Sequence, residues 1–140
     1  MGDPQPKSYH GANITVTFDG RRCLHFAECL RGLPEVFDVR ARPWITPDNA
    51  ESAAVAEVVE RCPSGALRYA LRNGAEESPP HPTVVTTVEG GPILLHGDLT
   101  VTGRGRETRM ALCACGRSSR RPSCDNACRT RPDRRVDPIA

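Results

Sequence analysis

Cysteines are the residues of this sequence best suited to chemistry, and four of the seven lie within sixteen positions. They are Cys113, Cys115, Cys124 and Cys128, in a loop rich in Arg, Ser, Gly and Pro. Thiolates grouped this closely are ligands for soft metals. Disulfides fit less well, because a C-x-C pair is too close for an easy bridge and seven is an odd number. Zinc is the main rival, although zinc sites usually pair their ligands as C-x2–4-C.

The loop resembles the signature of the CDGSH iron–sulfur proteins, the NEET family. Seven positions match that signature at its fixed offsets: Cys113, Cys115, Ser118, Pro122, Cys124, Asp125 and Ala127. The family's glycine is Asn126 here, and its histidine ligand is Cys128. Three Cys and one His hold a [2Fe–2S] cluster in that family, so the resemblance implies an all-thiolate [2Fe–2S] site. Anionic sulfur in place of imidazole predicts a lower reduction potential and a less labile cluster.

A second group of cysteines lies in the first half of the chain and comprises Cys23, Cys29 and Cys62, the last followed by Pro63. Ferredoxins use a C-x2-C-x2-C run with a further Cys-Pro, but the middle position here is Phe26, which cannot ligate. Three thiolates suit a [3Fe–4S] cluster, or a [4Fe–4S] cluster whose fourth iron takes another ligand. Residues 14–69 resemble the divergent single-cluster ferredoxins, some of which are fused to CDGSH modules. His25 is open to interpretation as a fourth ligand, a hydrogen-bond donor to the cluster or an exposed loop residue.

Composition indicates a small protein without a large aliphatic core. The chain has 140 residues, only 4% aromatic residues, and 25 Pro plus Gly (13 + 12). Small domains of this kind often depend on metals or disulfides for stability. No apolar run reaches the ~20 residues of a membrane helix, and the N-terminus lacks the pattern of a signal peptide. We therefore expect a cytoplasmic location, where cysteines stay reduced.

The hydrophobic pattern predicts an α+β fold with two parts. The resemblances imply that the first, over residues 12–72, is a small ferredoxin-like cluster domain and that the second, over residues 83–131, is a β-rich CDGSH-type domain. The first should contain a strand at 13–18, a helical turn from His25, extended segments at 36–39 and 42–45, a helix at 49–61 capped by Asn49, and a strand at 66–71. The second should contain short strands at 83–88, 92–95, 99–102 and 108–112. Residues 1–11 are expected to be a disordered lead-in.

These features favour an iron–sulfur electron-transfer protein, and not an enzyme, because no general base, nucleophile or phosphate loop accompanies the cysteines. Redox proteins are the expected partners, and the CDGSH resemblance implies a homodimer. Residues 81–140 carry a net charge of +4 (10 basic and 6 acidic side chains) without interleaved aromatics, so no specific nucleic-acid site is expected. Two alternatives remain open at this point. One is an iron–sulfur cluster carrier or redox sensor, and the other is a zinc-stabilised binding module.

Overall fold

The computed structural model describes residues 5–127, which fall into two compact units. The first unit contains the chain up to Arg21, Ala27–Cys62 and Ala66–Glu77, and the second contains Arg22–Phe26, Pro63–Gly65 and the chain from Ser78 onward. Two three-stranded antiparallel sheets account for most of the regular structure of these residues. The described chain is therefore mostly β, and the predicted α+β class fits it only loosely. The domain limits 12–72 and 83–131 stay predictions.

The first sheet has the strand order β1-β2-β3, with β1 at Lys7–His10, β2 at Ile14–Phe18 and β3 at Leu67–Leu71. The predicted strands at 13–18 and 66–71 are thereby confirmed. The expectation of disorder over residues 1–11 is wrong for residues 7–10. Tyr9 pairs with Val16 of β2 and is buried, which gives this short polar segment enough apolar contact to form an edge strand.

Two short α-helices and a 3-10 turn complete the described part of the first unit: α1 at Glu28–Gly32, the turn at Pro47–Asn49 and α2 at Ser52–Glu60. Helix α2 buries Val55, Val58 and Val59, as its spacing predicts. The prediction of Asn49 as its N-cap is wrong, because the chain is extended at Ala50 and the N-cap residue is Glu51. The side-chain amide of Asn49 instead donates a hydrogen bond to the carbonyl oxygen of Glu35 at 2.9 Å.

The loop between α1 and the 3-10 turn contributes aromatic residues to the core. The two extended segments predicted there are reduced to one antiparallel bridge between Phe37 and Ile45, both of which are buried. Trp44 packs edge-on against Phe18, with ring centroids 5.0 Å apart, and against Tyr9 at 6.4 Å. These aromatic contacts join the loop to β1 and β2, so the loop has a fixed place despite having little regular structure.

The second sheet has the order β4-β5-β6, with β4 at Val84–Thr87, β5 at Ile93–Val101 and β6 at Gly105–Leu112. The two strands predicted at 92–95 and 99–102 form the single strand β5, whose pairing with β6 shifts between His96 and Leu99. Gly97 lies in this irregular stretch, and a Cβ atom there would collide with the side chain of Thr83. Glycine at position 97 thus permits the close approach of Thr83 to strand β5. The sequence pattern instead predicted a turn at this glycine.

Candidate metal centres

Strand β6 ends at Leu112 and delivers the chain directly into the cysteine loop. Two backbone hydrogen bonds fix the return of the loop: Cys113 N to the Pro122 oxygen at 2.8 Å, and Cys124 N to the Ala111 oxygen at 2.9 Å. The Cys113 and Cys115 sulfurs lie 3.8 Å apart. Two thiolates on one tetrahedral metal with bonds of about 2.3 Å have a similar separation. The C-x-C pair is thus already spaced for binding one metal ion.

Backbone N–H groups point at all three described sulfurs of this loop. Gly116 N donates to the Cys113 sulfur at 3.2 Å, Arg117 N to the Cys115 sulfur at 3.4 Å, and Asn126 N to the Cys124 sulfur at 3.4 Å. Such bonds stabilise the anionic thiolate, which is the form that ligates metals. They require unusual backbone angles at two positions, Gly116 with φ 79° and Asn126 with φ 63°. The interpretation of Asn126 as a tolerated substitute for glycine is therefore confirmed.

The Cys113 thiol shows the electrostatic effect of this arrangement. Partial burial acts to raise its pKa, but hydrogen bonds from the backbone N–H groups of Ser118, Gly116 and Arg117 and from the Cys115 side chain outweigh that effect. The pKa of Cys113 is lowered on balance. The loop therefore favours the thiolate at Cys113.

Asp125 holds the loop in shape through its carboxylate. It accepts hydrogen bonds from the Ser119 N–H at 2.9 Å, the Ser119 hydroxyl at 2.8 Å and the Ala127 N–H at 3.0 Å. The backbone N–H of Ser119 is the largest cause of a pKa of Asp125 below its ordinary value, opposed in part by burial. Ser118 adds a second cross-link by donating to the Ser123 carbonyl at 2.5 Å. Asp125 acts as a loop-bonding residue, as its position in the motif indicates.

The donor set of this loop fits an iron–sulfur cluster. It combines soft sulfur ligands with N–H groups directed at them.

The Ser123 hydroxyl, next to Cys124, and the Asn126 side-chain oxygen are buried without a hydrogen-bond partner among the described residues. Cys128 lies outside the described residues. Within residues 5–127, no three His, Cys, Asp or Glu side chains form a ready metal-binding group.

The three cysteines of the first half lie in different local structures. Cys29 is in helix α1, and Cys62 follows α2, where its N–H donates to the Val59 oxygen at 3.0 Å. Both are partly buried and pack against the core of the first unit. Cys23 lies in the irregular segment Arg22–Phe26 of the second unit, and its sulfur is 3.9 Å from Nδ1 of His25. All six described cysteines are thiols and not disulfides. Ligation by Cys23, Cys29, Cys62 and the C-terminal four stays a prediction.

Arg22, which directly precedes Cys23, is a buried residue whose packing role the sequence analysis missed. Its guanidinium is buried and forms an ion pair with Glu107 of β6. An arginine in a loop usually has its charge in water, and nothing in the local sequence indicates a partner 85 positions away. The sequence did contain a signal for the burial of Arg22, which is the alternation of apolar residues at Leu24 and Phe26. Continued backwards, this alternation places Arg22 at the next buried position of the same segment.

Comparison with protein families defines the class of protein. Residues 9–72 match the divergent 4Fe-4S mono-cluster family, and residues 90–127 match the iron-binding zinc finger CDGSH type. The order is the one that the cysteine motifs predicted. Both are iron–sulfur domain families, and this is an iron–sulfur-binding protein.

A bacterial relative is similar to part of the chain. The uncharacterized protein YjdI of Escherichia coli strain K12 is 41% identical over 63 residues, which cover 45% of this chain and 83% of that protein. YjdI of Escherichia coli O157:H7 gives the same values. The chain belongs to the divergent 4Fe-4S mono-cluster family and adds a CDGSH-type domain. No solved structure matches it. None of the described helices is long and apolar enough to cross a membrane.

Proposed function

We propose that this protein transfers electrons through two iron–sulfur clusters. A [2Fe–2S] cluster is held by Cys113, Cys115, Cys124 and Cys128, and a [3Fe–4S] or [4Fe–4S] cluster by Cys23, Cys29 and Cys62. The observation that carries the proposal is the set of backbone N–H groups, with at least one directed at each described sulfur of the C-terminal loop. When bound, such clusters accept and release single electrons.

The N–H groups suit electron transfer for an electrostatic reason. Reduction adds negative charge to the sulfurs, and N–H dipoles already directed at them stabilise that charge without rearrangement. The loop bonds made by Asp125 and Ser118 fix the backbone that carries these dipoles. A site that changes little between its two charge states is appropriate for a carrier of electrons.

The first-half site differs from the ferredoxin pattern by one ligand. With Phe26 at the middle position and buried at 8% exposure, three thiolates remain. They suit a [3Fe–4S] cluster, or a [4Fe–4S] cluster in which another group completes the fourth iron. His25 is exposed and its Nδ1 lies 3.9 Å from the Cys23 sulfur, so it is a candidate for the fourth ligand or for a hydrogen-bond donor to the cluster.

We also propose partners and a location from the chemistry of thiol-ligated clusters. An electron carrier requires redox proteins that donate and accept electrons, and thiol ligands fit the reducing cytoplasm. The CDGSH-type domain favours a homodimer. Light scattering tests that assembly directly, since a mass near 15.2 kDa corresponds to one chain and rejects the dimer.

Repeated redox cycling tests electron transfer against cluster delivery. Anaerobic protein is reduced with dithionite and reoxidised several times beside an apo-ferredoxin that can accept clusters. We expect the visible spectrum to return after each cycle, with iron and sulfide staying on this chain, because the all-thiolate C-terminal site should be less labile than a His-ligated one. Transfer of iron and sulfide to the apo-ferredoxin would instead support the cluster-carrier function and contradict the proposal.

A further inference from the structure

One buried guanidinium connects three separate stretches of the second unit. Nη1 of Arg22 donates to Oε2 of Glu107 at 2.9 Å, and the two side chains are only 8% and 7% exposed. Nη2 of the same residue donates to the carbonyl oxygens of Ser64 and Arg109, both at 2.9 Å. The fork of Arg22 thus joins its own segment to the turn at Pro63–Gly65 and to strand β6. Arginine suits this task because its donors have a fixed planar geometry.

Gly65 makes room for this arrangement. It has φ 74°, and a Cβ atom there would collide with the carbonyl oxygen of Arg109 and lie 2.6 Å from Nη2 of Arg22. Any other residue would therefore displace either the strand or the guanidinium. Close packing around Arg22 thus explains the glycine in the turn after Cys62.

Burial alternates along the segment that contains Cys23. Arg22, Leu24 and Phe26 are buried, whereas Cys23 is partly exposed and His25 is exposed. Leu24 and Phe26 belong to one apolar cluster with Ala111 and Cys124. Asn126 adds a long hydrogen bond from its amide to the Leu24 oxygen at 3.5 Å. The side chains of Arg22, Leu24 and Phe26 therefore fix the segment in the second unit. Cys23 and His25 occupy the positions between them and are less buried.

We propose that Arg22 is a positioning residue for the iron–sulfur site that includes Cys23. Arg22 directly precedes Cys23, and the Ser64 carbonyl that it binds lies two residues after Cys62, so one guanidinium fixes the backbone beside two predicted ligands. The proposal rests on the proposed function, because it requires a cluster at the first-half cysteines. Arg22 does not bind the cluster itself. It determines where the chain presents Cys23 and where the turn after Cys62 runs.

The test replaces both members of the ion pair, so that neither is left buried without the other. In the double variant Arg22→Met/Glu107→Leu both charges are removed, and apolar residues of similar volume commonly keep such a site folded. A second variant, Arg22→Lys, keeps the charge but not the planar fork. Iron, sulfide, EPR spectra and midpoint potentials are measured for both centres on full-length protein, together with iron retention against a chelator.

We expect the first-half centre to retain iron about 10- to 100-fold less tightly in both variants, the range for groups that orient metal ligands. Its EPR spectrum or potential should shift, while the signal of the C-terminal centre stays unchanged. Arg106→Gln is the control, because Arg106 pairs with Asp98 on the same hairpin but is 77% exposed. That variant should leave both centres as they are.

Three results would overturn the inference. Folded Arg22 variants with an unchanged first-half centre would show that the guanidinium does not position its ligands. Equal loss of both centres would make Arg22 a general determinant of the fold. Absence of a first-half centre from the unaltered protein would overturn both this inference and the proposed N-terminal cluster. A first-half centre that is present but does not respond to substitution of Arg22 would overturn only the inference.

Discussion

Cys113, Cys115 and Cys124 each accept a hydrogen bond from a backbone N–H two or three residues further along the chain. The donors to Cys113 and Cys124 are Gly116 and Asn126, which both have positive φ. At this scale the motif predicted the positive φ of Asn126, because a turn that close in sequence depends on local residues. Arg22 shows the opposite case, because its role depends on Glu107, which no local pattern connects to it.

The ligand expected at position 128 gives a prediction at the residue scale. Cys128→His should raise the potential of the C-terminal centre, on the order of 100 mV, because neutral imidazole stabilises the oxidised cluster less than anionic sulfur does. The variant should also show a pH-dependent potential near the imidazole pKa of about 6.5. Redox titrations over a range of pH measure both effects. If the two proteins give the same curves, Cys128 is not a ligand.

At the scale of elements, local periodicity identified β2, β3 and helix α2 because each has one apolar side packed on a core. It missed β1, a polar edge strand that contributes one buried residue, Tyr9. It also divided β5 into two strands, since Gly97 is a common turn residue but here serves a close contact with Thr83. Both elements depend on contacts with a neighbouring segment, which the periodicity of a single segment does not show.

The turn after Cys62 gives a prediction at the element scale. Gly65→Ala should destabilise the protein by more than the roughly 1–2 kcal/mol that left-handed backbone alone costs a non-glycine residue, because the new methyl group meets Arg109 and Arg22. Gly103→Ala is the matched control, since Gly103 has φ 82° and open space around its Cβ position. Denaturant unfolding of both variants measures the difference. Equal losses of stability would contradict the close packing around Arg22.

At the scale of the whole molecule, the two family matches account for most of the described chain. They cover residues 9–72, which contain the three cysteines of the first half, and residues 90–127, which contain three of the four C-terminal cysteines. The family of each part could be predicted from the sequence because ligand spacing is a local property. The assignment of Arg22–Phe26 and Pro63–Gly65 to the second unit could not, because it arises from contacts of Arg22, Leu24 and Phe26 with residues of β6 and the cysteine loop.

The central claim is tested most directly by measuring iron, zinc and acid-labile sulfide per chain on anaerobically purified protein. Low-temperature EPR spectra are recorded on the same sample. A [2Fe–2S] cluster with a [3Fe–4S] or [4Fe–4S] cluster predicts about five or six irons with matching sulfide, and EPR signals from both centres. About two irons would mean that only the C-terminal site assembles. One zinc without sulfide would contradict the electron-transfer account and support the zinc-stabilised module instead.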